Sequence, residues 1–198
     1  TKDTTSVEVV LPRRQAAKLK ARGLKLEEKK VGGATVSKRL SNKAASGYTV
    51  FRSYSEDGGI RDELRELAQQ YPKLTKLVSI GKSVQGQDIL AMKVTKNAAQ
   101  VQDGSRPSVL YSSTQHAREW ITTEMNRRLL HRYLERYATD AAIQGVVDKT
   151  ELWFVLVANP DGYDYTFTEG NRLWRKNLRD NDGDGVITVD ELYDFVLE

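Results

Sequence analysis

The chain has 198 residues, of which 39% are hydrophobic and 29% are charged. This balance is typical of a globular protein and excludes a disordered or fibrous chain, and the length allows one full domain or a medium domain beside a small one. No run approaches the roughly 18 consecutive apolar residues of a transmembrane helix, and the absence of cysteine excludes disulfides and thiolate chemistry. Because the chain begins without an initiator methionine or a visible signal peptide, we expect a processed chain or a fragment.

Positive charge is concentrated at the start of the chain. Residues 1–47 contain 12 Lys and Arg against four Asp and Glu, whereas the remaining residues contain 19 against 23. A basic leader would suit a nucleic acid, but this one has no aromatic residue that would stack on bases. We therefore predict a solvated basic face, or one that docks on the acidic body, with neither a nucleic acid nor a membrane as partner.

The leader reads as a small strand–helix–strand unit followed by a linker. Val7–Leu11 is a short apolar run that predicts a strand, and Pro12 and Gly23 are typical of the two ends of a helix. A second strand is predicted within Leu24–Val31. Residues 34–47 are small, polar and basic, which is typical of an exposed linker and of a site where a protease cuts.

A denser α/β domain is predicted to begin near Tyr48. Apolar residues recur at helical spacing from Ile60 to Ala68, and Pro72 ends that helix. Further along the chain we predict strands at Leu77–Ile80, Ile89–Val94 and Ser108–Ser113, a long helix at Ile121–Tyr137, an interior strand at Glu151–Ala158 and a turn at Asn159–Gly162. Strands interleaved with helices favour an α/β domain.

A candidate metal site follows the strand Ser108–Ser113. His116 and Glu119 are three residues apart, so on the first turn of a helix their side chains would share a face. An imidazole and a carboxylate that converge are suitable zinc ligands, and the carboxyl edge of an α/β sheet is where such sites lie. By itself, however, this pair is a weak signal that occurs often by chance.

Three motifs in register make the signal specific. The segment His116-Ala117-Arg118-Glu119-Trp120, then Asn159–Tyr163, then Asn171–Asn177 resemble, in this order, the metallocarboxypeptidases of the carboxypeptidase A/B type, and above all the bacterial secreted members. The resemblance covers residues 48–179. It implies a mixed-sheet α/β/α sandwich of which these residues form the N-terminal half, preceded by residues 1–47 as the tail of an inhibitory pro-segment, and a secreted zymogen.

The resemblance also implies roles for individual residues. His116 and Glu119 would be two of the three protein ligands of Zn²⁺, and Arg118 would bind the peptide upstream of the scissile bond. Arg175 would polarise the scissile carbonyl, since a guanidinium is a permanent charge with several donors. In the family, zinc activates a water that attacks the last peptide bond, with a glutamate as general base, so the substrates would be the C-termini of peptides and proteins.

Several family residues that lie later in the chain have no counterpart before Glu198. These are the third zinc ligand, the Asn-Arg pair that holds the substrate carboxylate, a tyrosine and the general base. The other histidine, His131, is interpreted as a helix-surface residue. We therefore expect the isolated chain to be a poor enzyme or none, and we expect self-association through an open sheet edge.

The last segment predicts a calcium site. Residues 180–191 match the loop pattern of the EF-hand in full, in which Gly185 permits the sharp turn. The predicted Ca²⁺ ligands are Asp180, Asp182, Asp184, Val186, Thr188 and Glu191. Residues 180–198 would thus form a calcium loop and its exiting helix. This leaves an alternative function, a non-enzymatic calcium-binding fragment on a decayed peptidase scaffold.

Overall fold

The computed structural model describes residues 18–27, 30–31, 34–35, 50–181, 183, 185 and 187. These residues belong to two compact units, residues 1–50 and residues 51–198. In the first unit, residues 18–21 are helical, and β1 (Lys30–Val31) pairs antiparallel with β2 (Ala34–Thr35). The second leader strand was predicted too long, because residues 24–27 are irregular, and the strand predicted at Val7–Leu11 lies outside the described residues.

The second unit alternates helices and strands. Its elements are α1 (Ile60–Gln70), β3 (Thr75–Lys82), β4 (Asp88–Val94), β5 (Ser108–Ser112), α2 (Trp120–Arg136), α3 (Ala141–Lys149), β6 (Glu151–Val155) and α4 (Pro160–Tyr165). Each strand and helix predicted between residues 60 and 158 is present, within a few residues of its predicted bounds, whereas the predicted exiting helix of the calcium loop lies outside the described residues.

A four-stranded mixed sheet organises this unit, with the strand order β3-β4-β6-β5. Strand β4 pairs antiparallel with both β3 and β6, whereas β5 runs parallel to β6. The predicted interior position of β6 is therefore confirmed, and the sheet confirms the predicted α/β class. In the described sheet, β3 and β5 are the edge strands.

The hydrophobic core lies on one face of the sheet. Met92 and Tyr111 both pair in register with Phe154, so the three side chains share that face, and the rings of Tyr111 and Phe154 stack at 4.9 Å. The helices contribute buried apolar side chains to the same cluster: Leu64 and Leu67 from α1, Leu130 and Leu134 from α2, and Ile143 and Val147 from α3. The core thus attaches α1, α2 and α3 to the sheet.

Two parts of the fold differ from the sequence-based expectation. Helix α3 was not predicted, although Asp140 caps it by accepting hydrogen bonds from the amides of Ala142 and Ile143. The segment predicted as a turn at Asn159–Gly162 instead opens α4, with Asn159 as its N-cap and Pro160 in its first turn. In both cases residues that favour turns act as helix starts.

The interpretation of His131 as a surface residue was wrong. It is only 7% exposed, and its Nε2 contacts Glu63 of α1 while its Nδ1 lies 3.2 Å from Glu135. Glu63 also binds Arg127, with 2.6 Å between Nε and Oε2. Because α2 turns Arg127 and His131 toward α1, these two residues form a buried network with Glu63, whereas Arg128 and Arg132 are exposed.

No helix among the described residues is both long enough and apolar enough to cross a membrane.

Candidate zinc and substrate site

The site lies where the parallel strands β5 and β6 end. Backbone pairing continues beyond both strands, since the amide of Ala158 donates to the carbonyl of Ser113 at 3.0 Å and that of Asn159 donates to Thr114 at 3.1 Å. The loop that carries His116 therefore runs beside the loop that opens with Asn159. This is the carboxyl edge of the sheet, where α/β folds place their sites.

A strained residue turns the chain into the site. Thr114 has φ of +57°, which is rare for a β-branched residue, and it is 1% exposed. Its Oγ1 lies 3.2 Å from Oγ1 of Thr122 and 3.3 Å from the carbonyl oxygen of Leu156, which holds the strained turn in place. The next residues of the loop lead directly to His116.

His116 and Glu119 lie on a tight turn before α2. The amide of Glu119 donates to the carbonyl of His116 at 3.1 Å, and the Glu119 side chain makes no capping hydrogen bond although it precedes the helix. An imidazole and a carboxylate are donors that zinc prefers, so the pair fits zinc in chemistry. Within the described ranges, no group of three His, Cys, Asp or Glu side chains is placed to hold a metal.

Arg175 is brought to His116 from 59 residues away. Its Nη2 lies 2.6 Å from Nε2 of His116, and its backbone carbonyl accepts a hydrogen bond of 3.1 Å from the amide of Ala117. Because a guanidinium only donates, the His116 Nε2 is the acceptor in this contact. A permanent positive charge therefore lies beside the candidate zinc ligand.

Arg118 is exposed, and its backbone is held by a residue that sequence reasoning missed. Arg172 Nη1 donates to the Arg118 carbonyl at 2.9 Å, and the guanidinium carbon of Arg172 lies 3.7 Å from the ring centroid of Trp120. Trp120 in turn stacks on Phe167 at 4.1 Å and donates to Oγ1 of Thr166 at 2.7 Å. These contacts attach the segment that carries Arg175 to the turn that carries His116.

The predicted calcium loop is described only in part. Asp180 accepts a hydrogen bond from the Gly183 amide at 2.7 Å and one from the Gly185 amide at 2.9 Å. Both glycines have positive φ, +80° and +84°. The other predicted calcium ligands, Asp182, Asp184, Val186, Thr188 and Glu191, lie outside the described residues.

Comparison with known proteins identifies the family. The model of the zinc carboxypeptidase family matches residues 60–194. A zinc carboxypeptidase of Saccharothrix mutabilis subsp. capreolus is 39% identical over 137 residues, which is 69% of this chain and 30% of that protein. Metallocarboxypeptidase A of Arthroderma otae is 33% identical over 156 residues, which is 76% of this chain and 36% of that protein. The chain thus spans about a third of the length of these relatives.

Solved structures share the fold. Carboxypeptidase A of Helicoverpa armigera matches with a TM-score of 0.56 and 28% identity, over 84% of this chain and 42% of that one. Thrombin-activatable fibrinolysis inhibitor matches with a TM-score of 0.62 and 22% identity, over 75% of this chain and 35% of that one. The mixed sheet with its packed helices is therefore the carboxypeptidase-type α/β fold, and this chain belongs to the zinc carboxypeptidase family.

Proposed function

We propose that this chain carries the N-terminal part of the catalytic domain of a zinc metallocarboxypeptidase that removes C-terminal residues from peptides and proteins. The observation that supports this proposal best is the position of the Arg175 guanidinium beside His116, which shares a turn with Glu119. The chain also belongs to the zinc carboxypeptidase family. A cation beside a candidate metal ligand can stabilise the negative charge that develops on a scissile carbonyl oxygen bound near the metal.

In this proposal each residue of the site has a separate role. His116 and Glu119 would hold the metal. When bound, the metal would act as a Lewis acid and lower the pKa of a water. Arg175 donates to the scissile carbonyl oxygen and stabilises the negative charge that develops there. Arg118, whose side chain is exposed beside the turn, binds the peptide upstream of the scissile bond.

The same proposal includes a weak metal site in the isolated chain. Two protein ligands hold zinc less tightly than the three of a catalytic zinc site, so we expect little or no peptidase activity from these 198 residues alone. The leader, residues 1–47, is proposed as the tail of an inhibitory pro-segment, and the protein as a secreted one.

Zinc titration tests the proposed metal ligand. The chain has only two histidines, which makes H131Q a matched control for H116Q. We expect zinc to bind the unchanged chain and H131Q alike, and to bind H116Q at least about tenfold more weakly, as one lost ligand predicts. Equal affinity of H116Q and the unchanged chain would contradict the assignment of His116.

Calcium binding is the second candidate function. The two glycine amides that donate to Asp180, and the positive φ of both glycines, suit the first half of an EF-hand loop. We propose that Asp180, Asp182, Asp184, Val186, Thr188 and Glu191 bind Ca²⁺. Dialysis against both metals tests this proposal: D180N should lose calcium and retain zinc, and calcium retained by D180N would contradict it.

We also propose that the chain self-associates through the edge strand β5. Val109 and Leu110 of this strand are 44% and 65% exposed, and Ile121 and Met125 on the adjoining surface of α2 are 60% and 62% exposed. An unpaired strand edge beside exposed apolar side chains favours association with another chain.

A further inference from the structure

We infer that Asn159 is a positioning residue: the amide group of its side chain joins the loop that carries His116 to the loop that carries Arg175. These loops are called the His116 loop (residues 114–119) and the Arg175 loop (residues 171–178). The consequence for catalysis rests on the proposed function, whereas the contacts themselves do not.

The hydrogen bonds of Asn159 point in three directions. Its Nδ2 donates to the carbonyl of Lys176 in the Arg175 loop at 3.0 Å, and to the carbonyl of Gln115 in the His116 loop at 3.4 Å. Its Oδ1 accepts from the amide of Gly162 at 3.0 Å, which caps α4. One side chain therefore combines a helix cap on its oxygen with a bridge between two loops on its nitrogen.

The backbone of Asn159 is itself fixed. Its amide donates to the carbonyl of Thr114 at 3.1 Å, directly beyond the paired ends of β5 and β6. The side chain is therefore anchored to the sheet, and both loops are held relative to a rigid element rather than only to each other. Rigid support of this kind is what a precise site needs.

A second feature shows how closely the Arg175 loop approaches. A Cβ at Gly162 would lie 2.4 Å from the carbonyl oxygen of Lys176, and 2.6 Å from Nδ2 of Asn159. Because only a glycine leaves this space, the Lys176 carbonyl reaches the amide of Asn159 over the backbone of α4. The segment Asn159–Gly162, which the sequence predicts as a turn, therefore packs directly against the Arg175 loop.

Two substitutions of Asn159 separate the helix cap made by its side-chain oxygen from the bridge made by its side-chain nitrogen. Aspartate at position 159 keeps an oxygen that caps Gly162 but has no N–H to donate to Lys176 or Gln115. Alanine removes both the cap and the bridge. If the bridge positions the loops, N159D should loosen the site while α4 stays capped.

Hydrogen exchange at two amides measures the two tasks in the 198-residue chain. The amide of Ala117 donates to the carbonyl of Arg175 and reports the joint between the loops, and the amide of Gly162 reports the cap. In N159D we expect exchange at Ala117 to be at least roughly tenfold faster and exchange at Gly162 to change little, since both hydrogen bonds of the bridge, to Lys176 and to Gln115, are lost. In N159A both amides should exchange faster.

The control is D140A, which removes the cap of α3 and thus lowers stability without touching either loop. Faster exchange at Ala117 in N159D but not in D140A would support the inference. Unchanged exchange at Ala117 in N159D, or equal acceleration in D140A, would overturn it. If N159D does not fold, N159S, whose short hydroxyl retains the cap and does not span to Lys176, is measured with the same two outcomes.

Failure of the proposed function looks different from failure of this inference. Zinc binding that is indifferent to H116Q contradicts the proposed metal site but leaves the exchange at Ala117 as it was. Exchange at Ala117 that is indifferent to N159D contradicts the positioning role and leaves the zinc titration intact.

Discussion

Gly162 lies where two backbone segments approach each other, and its role can be tested by one methyl group. We expect G162A to lower the free energy of unfolding by at least about 2 kcal/mol, because the new Cβ meets the fixed carbonyl oxygen of Lys176 rather than a flexible side chain. Urea unfolding followed by circular dichroism measures the change.

The matched control is Gly145, which is inside α3 with nothing within 4 Å of an added Cβ. G145A should stabilise the protein by about 0.5 to 1 kcal/mol, since alanine is the better helix former. A destabilisation of similar size at both glycines would show that Gly162 has no special packing role.

His131 contributes to the pH dependence of stability. Burial, together with the guanidinium groups of Arg127 and Arg52, lowers the pKa of His131 to about 4. Two carboxylates, those of Glu63 and Glu135, face its ring nitrogens. Burial and the two guanidinium groups outweigh these carboxylates, so the folded protein binds fewer protons at His131 than the unfolded chain does.

The sign of the effect follows from linkage. Above the unfolded pKa of about 6.5, His131 does not reduce the free energy of unfolding. As the pH falls from there toward 4, the free energy of unfolding decreases by up to about 3 kcal/mol, because the unfolded chain gains a proton at His131 that the folded protein does not bind. We expect the unfolding free energy of the unchanged protein to fall more steeply over this range than that of H131Q, which retains an amide donor. Parallel pH profiles of the two proteins would contradict the prediction.

At the scale of elements, a buried lysine connects strand β4 to the loop before β5. Lys93 is fully buried and donates to the carbonyl of Val101 at 2.8 Å and to Oδ1 of Asp103 at 2.8 Å, while Glu151 of β6 lies 3.7 Å away. The loop is further held by Glu151, which accepts a hydrogen bond of 3.0 Å from the amide of Gly104. The charge of Lys93 therefore compensates the buried Glu151.

Removal of that charge tests the role of the pair. We expect K93M to lower the free energy of unfolding by about 3 kcal/mol, because the Glu151 carboxylate stays buried without its cation. Lys76 offers a control, since it binds the same Asp103 at 2.8 Å but is partly exposed. K76M should cost less than about 1 kcal/mol, and equal costs at the two lysines would contradict the argument. Chemical denaturation measures both variants.

At the scale of the whole molecule, the described sheet has two edges with different surfaces. Edge strand β5 exposes Val109 and Leu110 beside the exposed Ile121 of α2, whereas Ile80 is a single exposed apolar residue of β3. If the chain associates through β5, L110K should shift the population toward monomer in sedimentation velocity, because a charged side chain on an edge strand opposes pairing. I80K should leave the distribution unchanged, and an equal shift by both variants would contradict the choice of β5.

Much of the fold could be predicted because its signals are local. Apolar spacing placed α1, α2 and the four strands of the sheet, and a near-continuous apolar run marked β6 as an interior strand. Helix α3 was missed because its nine residues mix small and apolar side chains without a clear period. The start of α4 was misread because asparagine, proline and glycine serve turns and helix starts equally well.

The sequence by itself determined the family, the α/β class and the candidate ligands His116 and Glu119, because every motif and every predicted element on which they rest is a short stretch of neighbouring residues. Only the tertiary structure decided the strand order, the burial of His131 against Glu63, the contact of Arg175 with His116 and the bridge made by Asn159. These features join residues far apart in the chain, such as the 59 positions between His116 and Arg175. Such contacts depend on how helices and loops pack on the sheet, which local propensity does not specify.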